Sequence, residues 1–219
     1  MKLYIDKNHR VCYYFIKLRY VIYSSITIQC VFTGGIYEKE YRAFPALYPT
    51  PLTLVGAMVD GKPSWMTVAH VGIIGHDRIL ISCAKIHYTN KGIRRHGVVS
   101  VSLVDEAMLP KADCAGSVSG HRDDKSRLFE WTAGETGAPI PTESPLVMEC
   151  RVVDNYETET FDNFILEIKA VWAEEGVLTA DGKPDYEKIA PVLFEFPTYT
   201  YLRTGKRLGK CLSFAGTKR

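Results

Sequence analysis

Two neighbouring runs, LVMECRVVDNYETE (146–159) and NFILEIKAVWAEE (163–175), constrain the fold of this chain more than any other feature. In the second, Phe164, Leu166 and Ile168 share one face while Ile165, Glu167 and Lys169 share the other. Alternation with a period of two marks a strand with one face on a core, and the two runs form a long strand pair. From about Tyr41 onward, shorter apolar runs are separated by turn signals. Residues 52–59, 64–73, 78–84 and 98–104 read as strands, and the second and third are expected to be buried on both faces or nearly so. DGKPS is a turn between two of them. TNKGIRRHG reads as a short helix with Thr89 as N-cap and Gly97 as its stop. Strands outnumber helices, and closure into a barrel removes their unpaired edges.

At 219 residues the chain can bury one sizeable core. Its formal net charge of +2 is too balanced for a nucleic-acid surface, and the basic cluster KGIRRH (91–96) reads as a helix face. The six cysteines, Cys12, Cys30, Cys83, Cys114, Cys150 and Cys211, form no CxxC pair, which argues for reduced thiols in a cytoplasmic protein. Lys17 and Arg19 interrupt the apolar segment 11–32, so it reads neither as a membrane span nor as a signal core, and no membrane partner is expected. Before Thr33 there is no Ala, Gly, Pro or Glu. Residues 1–36 are therefore set apart as an N-terminal extension, either an accessory strand pair or a segment outside the folded domain, and residues 37–219 as the domain itself.

No HExxH, HxH, GxSxG, GxGxxG or P-loop sequence is present. His121 with Asp123 and Asp124 could chelate a cation, but three such residues in a loop read as a surface turn, and no metal is expected. Two stretches offer donors and positive charge. SCAKIHYTNKGI (82–93) follows a strand end with Ser82, Lys85, His87 and Thr89, a set suited to a phosphate dianion or simply to a strand, loop and capped helix. GSVSGHRDDKSRLF (116–129) reads in two ways. One is a solvated turn entering a helix capped by Asp123 or Asp124, with Leu128 and Phe129 in the core. The other has Ser119, Gly120 and Lys125 converging on an anion at the helix start. Along strand 64–73, the small residues Thr67, Ala69 and Gly72 let backbone approach a flat ligand.

The segments YPTPLTLVGAMVDGKPSWMTVAHVG, SCAKIHYTNKGI, CAGSVSGHRDDKSRLF, SPLVMECRVV and YLRTGKRLG occur in the order and spacing of the flavin reductase-like family, which the chain resembles from about Tyr41 to Ala215. The resemblance implies a mainly β, FMN-binding split β-barrel of Greek-key type with a few short helices, and a homodimer. It implies that Met66, Thr67, Val68 and Ala69 lie along the flavin ring. Ser82, Cys83, Ala84, Lys85, His87, Tyr88 and Thr89, with Ser119, Gly120 and Lys125, would serve the ribityl chain and phosphate. His70 stands where relatives often carry tryptophan, and Ser64 where they often carry asparagine. The activity implied is electron transfer from NAD(P)H through FMN to flavin, ferric iron or a redox protein acceptor. The alternative is a flavoredoxin-like electron carrier without nicotinamide turnover. Hydride transfer to a flavin requires no side-chain acid or base, so no catalytic residue is assigned.

Overall fold

The structure is a computed structural model that describes residues 43–213 together with the backbone of four strands nearer the N-terminus. Those four, β1 (Leu3–Ile5), β2 (Val11–Phe15), β3 (Leu18–Tyr23) and β4 (Thr27–Val31), form an antiparallel meander in a unit spanning Met1–Ala46. The second unit, Leu47–Arg219, carries everything that follows. The expected boundary at residue 36 lies outside the described residues.

In this unit, β5 (Thr50–Pro51) precedes the hairpin of β6 (Thr53–Val59) and β7 (Lys62–Val68). Asp60 and Gly61 both have positive φ, the two-residue turn geometry that matches the twist of paired strands. β8 (Val71–Ile73) and β9 (Arg78–Ala84) follow, then helix α1 (Thr89–His96), β10 (Val98–Leu103), helix α2 (Leu109–Ser117) and the small hairpin of β11 (Trp131–Ala133) and β12 (Pro139–Pro141). The long pair is β13 (Leu146–Glu157) and β14 (Phe161–Ala173). A short helix α3 (Tyr186–Ile189), β15 (Leu193–Glu195) and β16 (Thr200–Leu202) complete the unit.

Seven strands form one antiparallel sheet in the order β7-β6-β10-β13-β14-β9-β8. The β13–β14 hairpin is thus inserted between β10 and β9, a non-adjacent connection of Greek-key type. The strands at the two ends of this order, β7 and β8, are joined by only Ala69 and His70. Three Cα steps span at most about 11 Å, so the sheet must curl until its ends meet. Ser82 N–H donates to His70 O at 2.9 Å and Val71 N–H to Ala69 O at 3.0 Å across this junction. The fold is the split β-barrel expected of a flavin reductase-like chain.

Inside the curl lies an apolar cluster that includes Val55, Ala57, Met66, Val68, Ile81, Cys83, Val99, Phe164 and Leu166, with Ile93 of α1 entering it. On the outer side of β6 and β7, Leu54 and Trp65 pack with Met108, Ala112, Ala115 and Phe129. β7 is therefore buried on both faces because α2 covers its outside. The rest of the expected strand 64–73 departs from that expectation, since it breaks at Ala69 and His70 and β8 is half-buried with Ile73 exposed; so does β9, in which Ile79, Ile81 and Cys83 are buried while Leu80, Ser82 and Ala84 are only half-buried on the other face.

A second correction concerns helices. The helix at GSVSGHRDDKSRLF ends within its first two residues instead of following it: α2 ends at Ser117, and residues 118–130 are turns and loop. Asp124 Oδ1 accepts from Ser126 N–H at 2.9 Å, a side-chain turn rather than a helix cap. Phe129 is buried, as expected. Gly97 does stop α1, in the left-handed conformation and with its N–H on Ile93 O.

The basic cluster on α1 is largely engaged by the fold. Arg94 reaches both oxygens of the fully buried Asp162 at 2.6 Å, and Asn90 Nδ2 donates to Asp162 at 3.0 Å and to Ala84 O at 3.0 Å. These bonds pin α1, through its first turn at Asn90 and its last at Arg94, against β14 and the end of β9. They fix the position of the 85–88 loop between β9 and α1.

Candidate functional site

The polar residues of the 85–88 loop meet the end of α2 and the 118–125 loop around two adjoining cavities. One, of about 190 Å³, is lined by Met66, Ile86, His87, Tyr88, Thr89, Gly116, Ser117, Val118, Ser119, Gly120, Arg122 and Lys125. The other, of about 320 Å³, runs from the β6–β7 turn to the same loop and shares Tyr88, Gly120, Arg122 and Lys125 with the first.

Two glycines make the walls possible. A Cβ on Gly116 would lie 2.2 Å from Thr67 Oγ1, and one on Gly120 would lie 2.6 Å from Tyr88 Cδ1. No side chain fits at either position without displacement, so β7 and the 85–88 loop both come close to the α2 backbone and the loop that follows it.

Lys125 is only 7% exposed. Its Nζ donates to Ala115 O at 3.0 Å and to Val118 O at 3.3 Å, carbonyls at the end of α2 and just beyond it. This satisfies acceptors that a helix end leaves unpaired and places positive charge at the negative end of the helix dipole. Burial pulls the ammonium's pKa down, while the charge of Asp123 opposes that shift. Lys125 is thus first a cap, a third role beside the exposed charge and the phosphate ligand weighed from sequence. An ammonium carries three donors, two of which are used here, and Lys125 lines both cavities.

Arg122 lines both cavities as well, and its guanidinium has no hydrogen-bond or ion-pair partner among the described residues. Sequence reasoning passed over it because an arginine between His121 and Asp123 reads as one more solvated charge. Ser117 and Gly116 were missed too, since the helix that presents them was not expected. Burial lowers the pKa of His87, and the neighbouring Lys125 charge lowers it further, so the imidazole is neutral near pH 7.

The other expected site residues are distributed as follows. Met66, His87, Tyr88, Thr89, Ser119, Gly120 and Lys125 line the smaller cavity. Thr89 is the first helical residue rather than the cap, and its buried hydroxyl is 2.9 Å from Ser64 Oγ. Ser64 therefore serves to seat α1. Val68 and Cys83 point into the barrel core, where burial pushes the Cys83 thiol pKa well up, so their side chains line neither cavity. Lys85 Nζ is paired with Glu157 at 2.9 Å and also lines neither. Thr67 packs against Gly116. The carbonyls of Ala69 and Ala84 are occupied, the former by Thr50 Oγ1 at 2.8 Å and Val71 N–H, the latter by His87 N–H and Asn90. Ser82 is held through its N–H on His70 O.

Among the described residues no cluster of His, Cys, Asp and Glu could hold a metal ion, and no helix is long and apolar enough to cross a membrane. Cys83, Cys114, Cys150 and Cys211 are free thiols, and burial, with the charge of Glu149, pushes that of Cys150 up to about 12.

Residues 45–203 match the family model described as the flavin reductase like domain. Among solved structures, flavoredoxin from Methanosarcina acetivorans is 36% identical with a TM-score of 0.76, the alignment covering 81% of this chain and 98% of that one. Flavoredoxin of Desulfovibrio vulgaris (Miyazaki F) is 34% identical with a TM-score of 0.76, covering 82% of this chain and 100% of that one. An FMN-binding protein from Thermus thermophilus shares the fold at 22% identity and a TM-score of 0.69, with 79% and 99% covered. No curated protein matches the chain.

Proposed function

Because the chain belongs to the flavin reductase-like family, we propose that it binds FMN with the phosphate end at the smaller cavity and passes electrons from NAD(P)H to flavin, ferric iron or a protein acceptor. The observation that carries this reading is that the exposed, unpaired Arg122 guanidinium lines the same cavity as the buried Lys125, whose ammonium has a donor to spare, a cavity walled by Gly116 and Gly120. Two cations at one small cavity fit a phosphate dianion: charge-assisted bonds are the strong ones, and the guanidinium fork suits a phosphate. Thr89, Ser119 and neutral His87 add polar groups for the ribityl hydroxyls, and Met66–Ala69 is the strand assigned to the ring. The bound flavin supplies the hydride and single-electron chemistry, and the protein supplies binding, orientation and electrostatics.

Assembly as a homodimer is part of the proposal. A second recess of about 630 Å³ is lined by Val71, Ile73, Ile79, Val101, Leu103, Met148, Ile168 and Tyr186 among others. Ile73 is 86% exposed at its edge, apolar surface of the kind a second copy would cover.

Anaerobic titration of the FMN-loaded protein with NADH and then NADPH tests the reading. Bleaching of the yellow protein within turnover times is expected. A protein that binds FMN but is reduced by neither nucleotide is the electron carrier favoured by the two flavoredoxin likenesses. A protein that cannot be loaded with FMN at all overturns the proposal.

A further inference from the structure

The strand assigned to the flavin ring ends at a titratable group that the proposed function leaves unused. His70 follows Ala69 directly and is half-buried. Its carbonyl holds the barrel closed by accepting from Ser82 N–H at 2.9 Å, but its imidazole makes no hydrogen bond or ion pair among the described residues. The ring sits instead in an aromatic cage. Phe161, at the start of β14, lies 5.8 Å from it with the planes at 63°. Phe196, just after β15, lies at 5.9 Å and 45°, and Tyr48, just before β5, at 6.1 Å and 54°. Tyr48 and Phe196 are themselves stacked at 5.7 Å, and the buried Tyr48 Oη has no hydrogen-bond partner.

Aromatic faces attract a cation, so this cage accommodates an imidazolium as well as the neutral ring. Of the three caging rings only Tyr48 titrates, and burial raises its pKa, so it stays a neutral phenol over the range in which a histidine changes charge. The charged residues next along the caging elements are already engaged: Asp162 is held by Arg94 and Asn90, and Glu195 accepts from Thr198. Hydride from NAD(P)H brings a flavin two electrons and one proton and leaves it with one added negative charge. We propose that His70 is the redox-linked proton site that answers this charge. One proton from solvent is held on its imidazole, so that FMN, NAD(P)H and one proton yield NAD(P)+ and reduced flavin beside an imidazolium. The proposal rests on the assignment of Met66–Ala69 to the flavin ring. An opposite charge nearby favours the protonated form, so His70 holds its proton more tightly when the flavin is reduced. By linkage, flavin reduction then becomes harder as pH rises between the two His70 pKa values. Tryptophan, which relatives often carry at this position, has no proton to exchange in this way.

The test follows the His70 imidazole resonances by NMR in the full-length FMN-loaded protein, oxidised and then reduced with dithionite, with His70→Phe supplying the assignment. The titration midpoint should rise by at least about one pH unit on reduction, a tenfold gain in proton affinity. The midpoint potential of the bound flavin, read by equilibration with redox dyes, should fall more steeply with pH across that interval in the parent than in His70→Phe or His70→Gln. Affinity for oxidised FMN should change by less than about threefold in both variants. Tyr48→Phe, which keeps the ring and removes the phenol, should leave the rise in place. A His70 midpoint equal in the two redox states, a pH dependence of the potential that survives both His70 substitutions, or a rise abolished by Tyr48→Phe would each overturn the site. Failure of the parent protein to take up FMN, or His70 resonances identical with and without oxidised FMN, would instead remove the ring assignment beneath it.

Discussion

The paired polar cavities and the apolar recess of the same unit differ in how completely their groups are accounted for within the chain. Of the lysine and arginine side chains that line the cavities, Lys62 has Asp124 and Lys125 has two carbonyls, and Lys85 close by has Glu157, whereas Arg122 has no partner among the described residues. In the recess, Ile73 projects an apolar side chain into water with little of the described residues over it. A cluster of charge is thus a poor guide to a ligand until its internal partners are subtracted. An exposed apolar group needs no such subtraction, because water itself is the unfavourable partner.

Breaking the recess should have the largest effect. Burying an isoleucine side chain contributes about 1.5–3 kcal/mol, and a two-fold interface loses that contribution twice. Ile73→Lys should therefore raise the dimer dissociation constant by at least about a hundredfold in analytical ultracentrifugation, leaving a folded monomer. A parent protein that is itself monomeric at micromolar concentration would show that the recess is not a dimer face.

Within the cavities, two cations are expected to respond differently. Lys125→Ala removes hydrogen bonds from a charged donor and orphans two carbonyls, so urea unfolding should show a loss of about 1.5–3 kcal/mol without any ligand present. Arg122→Ala removes no internal bond, and stability should change by less than about 0.5 kcal/mol. Its FMN affinity should drop about tenfold to a hundredfold, while riboflavin, which has no phosphate, loses much less. Equal losses for the two flavins in Arg122→Ala would dissolve the distinction between cap and ligand.

A smaller effect follows from His87. Its pKa is lowered in the folded protein, first by burial and then by Lys125, so below the ordinary histidine value of about 6.5 the unfolded chain binds the proton more readily. The contribution to stability is whole above that value and declines as pH falls through it toward the folded pKa. His87→Gln should flatten that decline between pH 7.5 and 5.5. Deleting residues 1–36 is expected to leave FMN affinity unaltered, since the family match begins at residue 45. Loss of flavin in a folded truncated protein would assign the extension a part in binding.

What could be read from the chain alone were features whose cause is local. The span of β9, the turn at Asp60-Gly61 (though Lys62–Ser64 of the expected DGKPS turn belong to β7), the stop at Gly97 and the alternation of Phe164, Leu166 and Ile168 each follow from backbone preference or a period of two within a few residues. The sequence motifs also led to the family. Helix α2 was not legible, because the buried side chains holding it are Ala112 and Ala115, too small to form an apolar stripe. Closure of the sheet through Ala69 and His70 depends on strands far apart in the chain. The roles of Thr89, Lys85 and Lys125 depend on Ser64, Glu157 and the α2 carbonyls, and a side chain's hydrogen-bonding capacity does not reveal which partner will use it. Only packing assigns those partners, and in doing so it left Arg122, of the cations lining the two cavities, without a partner among the described residues.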